Sequence, residues 1–334
     1  LISQDASQHG LPAFIARQAV FLSQPVSFLF FAHFRLLENL MNDLKNDVDS
    51  LVGTTGLLDA GNRRTFIKTA LGTGFAAAVL PVCAQTMIKT DTVGLTAGEV
   101  SVTVNGQKVP AYRAQPEGKT NLPVILVISE IFGVHEHIAD IARRFAKLGY
   151  LAIAPDFFVR QGNPAAYPTI AELNKEIISK VPDEQVFGDL DAYVAWAGQN
   201  GGNPDKIGIN GFCWGGRIVW LYSARNPKIK AGAAWYGRIV GEKSALQPQH
   251  PIDVAPTLKA PVLGLYGGKD GGIPVATVEQ MKEALAKTGN KSEFVVFPNS
   301  GHAFNADYRP SYVEADAKEG WKRAVEWFKS HGVV

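Results

Sequence analysis

Residues 123–129 read Pro-Val-Ile-Leu-Val-Ile-Ser, an unbroken apolar and largely β-branched run. A run without alternation predicts a strand buried on both faces. After it the period becomes helical: Ile138, Ile141, Phe145 and Leu148 space a helix over residues 136–148. The next strand is residues 150–154, closed by Pro155-Asp156. Upstream, residues 99–104 and 108–113 form an opening antiparallel pair around the turn signal Asn105-Gly106. Downstream, helices are predicted over 170–180, 184–198, 214–224, 276–288 and 314–330. Strands are predicted over 206–210, 229–235, 261–266 and 292–297. Strands separated by helices predict an α/β domain, with a mostly parallel central sheet covered on both faces. Reactive groups in such a fold belong at the carboxyl ends of the strands.

The chain before this domain follows another pattern. Residues 62–68 read Asn-Arg-Arg-Thr-Phe-Ile-Lys, and a Gly- and Ala-rich apolar stretch of 14 residues runs from Thr69 to Val82. Val82-Cys83-Ala84 then resembles a cleavage site, so the whole reads as a secretory signal. Arg63-Arg64 followed by Phe66 and Lys68 resembles a twin-arginine signal. The expected partner is therefore the twin-arginine export machinery, and the expected location is outside the cytoplasm, in the periplasm. The apolar stretch is too short to span a bilayer, so no stable membrane insertion is expected. Cys83, with Leu80 three residues before it, also admits a lipoprotein reading, although Val82 fits that signal poorly. Met41 lies 22 residues before Arg63 and is read as the natural start. The predicted organisation is an upstream extension at 1–40, a signal segment at 41–84 and one catalytic domain at 85–334.

Composition narrows the chemistry. Of 334 residues, 46% are hydrophobic and 19% charged, which suits a globular protein with a large core. Thirty-three Lys and Arg against 31 Asp and Glu leave a formal charge of +2, which gives no electrostatic case for nucleic acid as a partner. Cys83 and Cys213 are the only cysteines, too few for a disulfide framework or a Cys-rich metal site.

Cys213 is singled out by its neighbours. Gly211-Phe212-Cys213-Trp214-Gly215 matches the nucleophile-elbow pattern G-x-S-x-G with Cys in place of Ser. It lies between a predicted strand and a predicted helix, where the sulfur meets a helix N-terminus. A thiol nucleophile needs a base, and the base needs an orienting group. Asp270, in Gly267-Gly268-Lys269-Asp270, and His302, in Ser300-Gly301-His302-Ala303-Phe304, each follow a later strand. The order nucleophile, acid, histidine is that of the α/β-hydrolase fold. Cys213, His302 and Asp270 are thus the expected catalytic residues.

Residues 95–332 resemble the dienelactone hydrolase family, also called carboxymethylenebutenolidases. The resemblance rests on Ser129-Glu130-Ile131-Phe132-Gly133, Gly149-Tyr150 with Pro155-Asp156, the cysteine elbow, Gly-Gly-Lys-Asp at 267–270 and Gly301-His302-Ala303-Phe304. It implies cofactor-independent hydrolysis of a small ester or lactone. It implies that Glu130 holds the resting thiol and helps remove its proton. It also implies an oxyanion hole built from the backbone amides of Ile131 and Trp214. The chain departs from the family in the arginines that grip the substrate carboxylate: Ala306 stands where one is expected, and Arg160, the only arginine between Asp156 and Asp189, is no clear match for the other. Arg309 and Arg160 are the candidate replacements, and Tyr308 a further candidate for substrate binding. His135-Glu136-His137 lacks the H-E-x-x-H spacing of a metal site and reads as a helix start. No dinucleotide fingerprint follows a strand, so no cofactor is expected. A thioesterase or general carboxylesterase using the same site, or a non-catalytic binding protein on this fold, are the rival readings. A thiol redox sensor is disfavoured because no resolving cysteine would survive processing.

Overall fold

Strand β3 (Leu122–Ile128) lies at the centre of the domain, and Val124, Ile125, Leu126, Val127 and Ile128 have no exposed surface. The computed structural model describes residues 87–334. The expectations for residues 1–84 therefore lie outside the described residues. The domain opens with a hairpin of β1 (Leu95–Val104) and β2 (Gln107–Pro116), in which Val104 faces Gln107. Asn105 and Gly106 close it with φ of 50° and 79°, the left-handed pair that a two-residue hairpin loop requires.

The remaining strands are β4 (Leu151–Pro155), β5 (Gly202–Phe212), β6 (Ile229–Trp235), β7 (Val262–Gly267) and β8 (Glu293–Phe297). The eight strands form one sheet in the order β1-β2-β4-β3-β5-β6-β7-β8. The first two pairings are antiparallel and the rest parallel, so the sheet has the predicted opening antiparallel pair and is mostly parallel. The helices are α1 (Glu136–Lys147), α2 (Ile170–Glu176), α3 (Asp183–Gln199), α4 (Trp214–Arg225), α5 (Pro251–Val254), α6 (Val275–Ala286) and α7 (Glu314–Ser330).

Two local differences from the expected elements have physical causes. The helix predicted over 170–180 stops at Glu176, because Ile177 turns to φ −118° and ψ −67° and a 3-10 turn follows at Ile178–Lys180. Both isoleucines are buried by this turn. The short α5 was not anticipated; Pro251 sets its first turn, and Asp253 Oδ2 accepts from the His250 amide at 2.8 Å.

The topology places the site. After β3 the chain crosses to β4 on one side, then returns to β5 on the other. This reversal opens a crevice at the carboxyl ends of β3 and β5. Ile128 pairs with Gly211, so Glu130 and Cys213, each two residues further on, leave the sheet at the same level. Gly267 pairs with Phe297, which brings the loops carrying Asp270 and His302 together.

Candidate active site

Cys213 is the only residue between β5 and α4, and it takes φ 53° and ψ −116°. A non-glycine residue held in such a region stores about 1–3 kcal/mol of strain. The surroundings hold it there: its amide donates to Trp235 O at 3.0 Å, and its carbonyl accepts from Arg217 N at 3.2 Å. The flanking glycines are needed for close backbone approach. A Cβ on Gly211 would stand 2.4 Å from Gly215 O, and one on Gly215 would stand 2.5 Å from Ile128 O. The elbow therefore packs directly on the end of β3.

Asp270 and His302 meet beside it. His302 Nδ1 lies 2.7 Å from Asp270 Oδ2, and both side chains are buried. The other carboxylate oxygen, Oδ1, accepts from the amides of Gly272 and Ile273 at 2.9 and 3.1 Å. With its carboxylate so held, Asp270 accepts a hydrogen bond from Nδ1–H of His302 and leaves Nε2 for another partner. Burial opposes charging of the imidazole, but the charges of Asp270 and Cys213 and the hydrogen bond to Asp270 raise its pKa well above the usual value.

Glu130 is buried across from the elbow. Its Oε2 accepts from Tyr308 Oη at 2.6 Å, whereas its buried Oε1 has no hydrogen-bond partner among the described residues. Glu130, which the resemblance implied holds the resting thiol, is thus held by Tyr308 through one oxygen. The amide of Ile131 follows Glu130, and that of Trp214 is the first of α4, a position with no acceptor inside the helix. The Trp214 ring packs on Phe158 and Phe157, with centroids at 5.0 and 5.9 Å.

The candidate substrate residues divide. Arg309 is buried with its guanidinium 5.4 Å from the centre of the Phe132 ring, and its charge acts on Tyr308, Tyr236 and His135. Tyr308 is buried against Glu130. Arg160 is engaged by a carboxylate of the protein. Its Nη1 and Nη2 donate to the buried Asp189 at 2.7 and 2.8 Å, and its Nε donates to Gln107. A bidentate pair on a buried carboxylate ties the loop after β4 to α3 and leaves the guanidinium little freedom to turn to a ligand.

Tyr236 escaped the sequence reading. It follows β6 directly, takes φ 39° and has no exposed surface. Its ring meets that of His302 edge-on, with centroids 5.1 Å apart, and its hydroxyl has no hydrogen-bond partner among the described residues. Burial and the charge of Glu130 push its phenol well above the usual pKa. The available signal was its position: an aromatic at the carboxyl end of a predicted central strand.

His135 caps α1 in an extended conformation and Glu136 begins the helix, so the His-Glu-His segment is a helix start. Among the described residues, no group of three or more His, Cys, Asp or Glu side chains is arranged to hold a metal ion.

A strained cysteine, an imidazole held by a carboxylate, and two amides at a helix start and a strand end are groups of the kind that acyl transfer can use. Comparison with known proteins agrees with this chemistry. A profile described as the dienelactone hydrolase family matches residues 109–332. A relative from Methylorubrum extorquens, "Putative carboxymethylenebutenolidase", is 56% identical over 289 residues, 86% of this chain and 98% of the relative. One of the same description from Salmonella typhimurium is 52% identical over 267 residues, 80% of this chain and 98% of the relative. The solved structure of "Putative Dienelactone Hydrolase" from Klebsiella pneumoniae subsp. pneumoniae is 54% identical with a TM-score of 0.70. It covers 70% of this chain and 98% of that one.

Proposed function

The chain belongs to the dienelactone hydrolase family, and from that premise we propose that it cleaves its ester or lactone through Cys213, His302 and Asp270. It is a hydrolase of the carboxymethylenebutenolidase type on an α/β-hydrolase fold. The observation that carries the finer reading is the 2.7 Å Asp270–His302 hydrogen bond, with the charge of Cys213 at the elbow acting on the same imidazole.

In this reading the sulfur of Cys213 attacks the substrate carbonyl carbon, and His302 takes the thiol proton. The negative oxygen that develops is received by the amides of Ile131 and Trp214. Collapse breaks the C–O bond, and His302 returns the proton to the departing alkoxide; in a lactone that alcohol stays tethered to the acyl group. A water molecule, deprotonated by His302, then attacks the thioester and releases acid and thiol. Asp270 holds the imidazole in the required tautomer throughout.

The substrate is a small ester or lactone. Ala306 removes the expected arginine, and Arg309, buried beside Tyr308, is the nearer candidate for meeting a polar substituent. A panel of dienelactone, simple lactones, aryl esters and thioesters, run on wild type and Cys213→Ala, tests the reading. At least one oxygen ester or lactone is expected to turn over with wild type and not with Cys213→Ala. Cleavage confined to thioesters would select a thioesterase, and equal turnover by the two proteins would remove Cys213 from the mechanism.

The same reading includes export by the twin-arginine machinery to the periplasm, supported by Arg63-Arg64, Phe66, Lys68 and the apolar stretch behind them. Changing both arginines to lysine is expected to trap the precursor inside the cell. Normal export of the double-lysine protein, stopped by a Sec block, would overturn that route.

A further inference from the structure

We infer that Tyr308 is a positioning residue for Glu130, tying the loop that carries His302 to the loop that carries Glu130. The inference rests on the proposed reading that Cys213 carries the hydrolysis, and on the role in removing the thiol proton that the family resemblance implies for Glu130. Tyr308 lies six residues beyond His302, on the segment between β8 and α7. Its hydroxyl donates to Glu130 Oε2 at 2.6 Å, in a contact buried from solvent. Glu130 Oε1 is left without a partner among the described residues. One oxygen is thus anchored and the other is left for the reacting groups. Burial and the charge of Glu130 raise the Tyr308 phenol well above its usual pKa, which favours its protonated, donating form.

The anchor is itself held from behind. The Tyr308 ring lies 4.9 Å from that of His135 and 5.1 Å from that of His137, centroid to centroid. His137 Nδ1 lies 3.0 Å from Asp307 Oδ1, and Arg144 Nη2 donates to Asp307 Oδ2 at 2.5 Å. Arg144 Nε donates to Asp140. Asp307 is the neighbour of Tyr308, so two side chains of the α1 region clamp the backbone that presents the phenol. This gives the His135-Glu136-His137 segment a task beyond starting a helix. The arrangement holds one oxygen of the carboxylate in place, and misplacing a reacting group by about 1 Å can cost roughly a hundredfold in rate.

A purely structural hydrogen bond would show the same distances, and a double-mutant cycle separates the two cases. The full chain is assayed with p-nitrophenyl acetate as wild type, Tyr308→Phe, Glu130→Gln and the double variant, with a melting curve for each. Tyr308→Phe keeps the ring contacts and loses only the anchor. It is expected to lower kcat roughly tenfold to a hundredfold with KM nearly unchanged. On the residual turnover of Glu130→Gln, the same change is expected to have no further effect. Asp307→Asn, which loosens the clamp and keeps the phenol, is expected to lower kcat by less and to be equally silent beside Glu130→Gln. It serves as the test if Tyr308→Phe does not fold. Wild-type kcat in Tyr308→Phe and in Asp307→Asn, with Glu130→Gln impaired, overturns the inference. So does an equal loss from Tyr308→Phe in both backgrounds, which marks a structural role. Wild-type turnover in Glu130→Gln overturns the reading of Glu130 itself, and the inference with it.

Discussion

His302→Ala is expected to lose about four to six orders of magnitude in kcat, because the imidazole that takes the thiol proton and returns it to the leaving alkoxide is gone. Tyr236 lies against the same ring, but its phenol is held well above its usual pKa and is no base at neutral pH. Asp270→Asn is expected to cost less, up to about 10⁴, since it disturbs the tautomer and orientation of the base and leaves the imidazole in place. The two variants also differ in a readout independent of turnover. The charge of Asp270 is one of the groups that hold the His302 pKa up against burial. Removing it should lower that pKa, so the imidazole proton leaves at a lower pH in Asp270→Asn than in wild type. An NMR titration of the His302 ring reads this directly. Unchanged turnover in His302→Ala on every ester tested would sink the proposed triad. An unchanged His302 titration in Asp270→Asn would show that Asp270 does not govern the base.

Gly215→Ala is expected to damage both stability and activity. The added Cβ would stand 2.5 Å from Ile128 O and 2.6 Å from Ser129 O. Both are main-chain atoms, so no side chain can rotate away. Relief requires the start of α4 to move off the end of β3. Forced overpacking of this kind costs about 1–3 kcal/mol. In a domain of this size that is a melting-temperature loss of roughly 2–12 °C. The same movement separates the amide of Trp214 from that of Ile131, so activity should fall further than stability alone explains. Gly188→Ala is the control: nothing lies within 4 Å of its Cβ, and it sits inside α3. Alanine there should be neutral or stabilising by up to about 1 kcal/mol. Parallel melting curves and assays decide the matter. A Gly215→Ala protein that melts and turns over like wild type would mean that the elbow accommodates a side chain at this position.

Much of this molecule was legible in its sequence because the controlling physics is local. The apolar run at 123–129 had to be a strand buried on both faces, and the 3.6-residue spacing after it had to be a helix. Asn105-Gly106 adopts the two positive φ values of its hairpin loop because such residues tolerate them. Gly211 and Gly215 marked the elbow because only glycine allows the backbone approach found there. Asp270 and His302 could be proposed because chain order and strand ends are properties of a linear pattern. What the sequence could not determine is which loops meet. Tyr308 and Glu130 are 178 positions apart, and no spacing rule links them. Arg160 looked available until Asp189, 29 positions on, was seen to hold it. Tyr236 gained meaning only when β6 brought its ring to His302. These contacts follow from the strand order and from the burial it imposes. A buried polar group must find its partners among whatever the fold places beside it, and only the tertiary structure decides what that is.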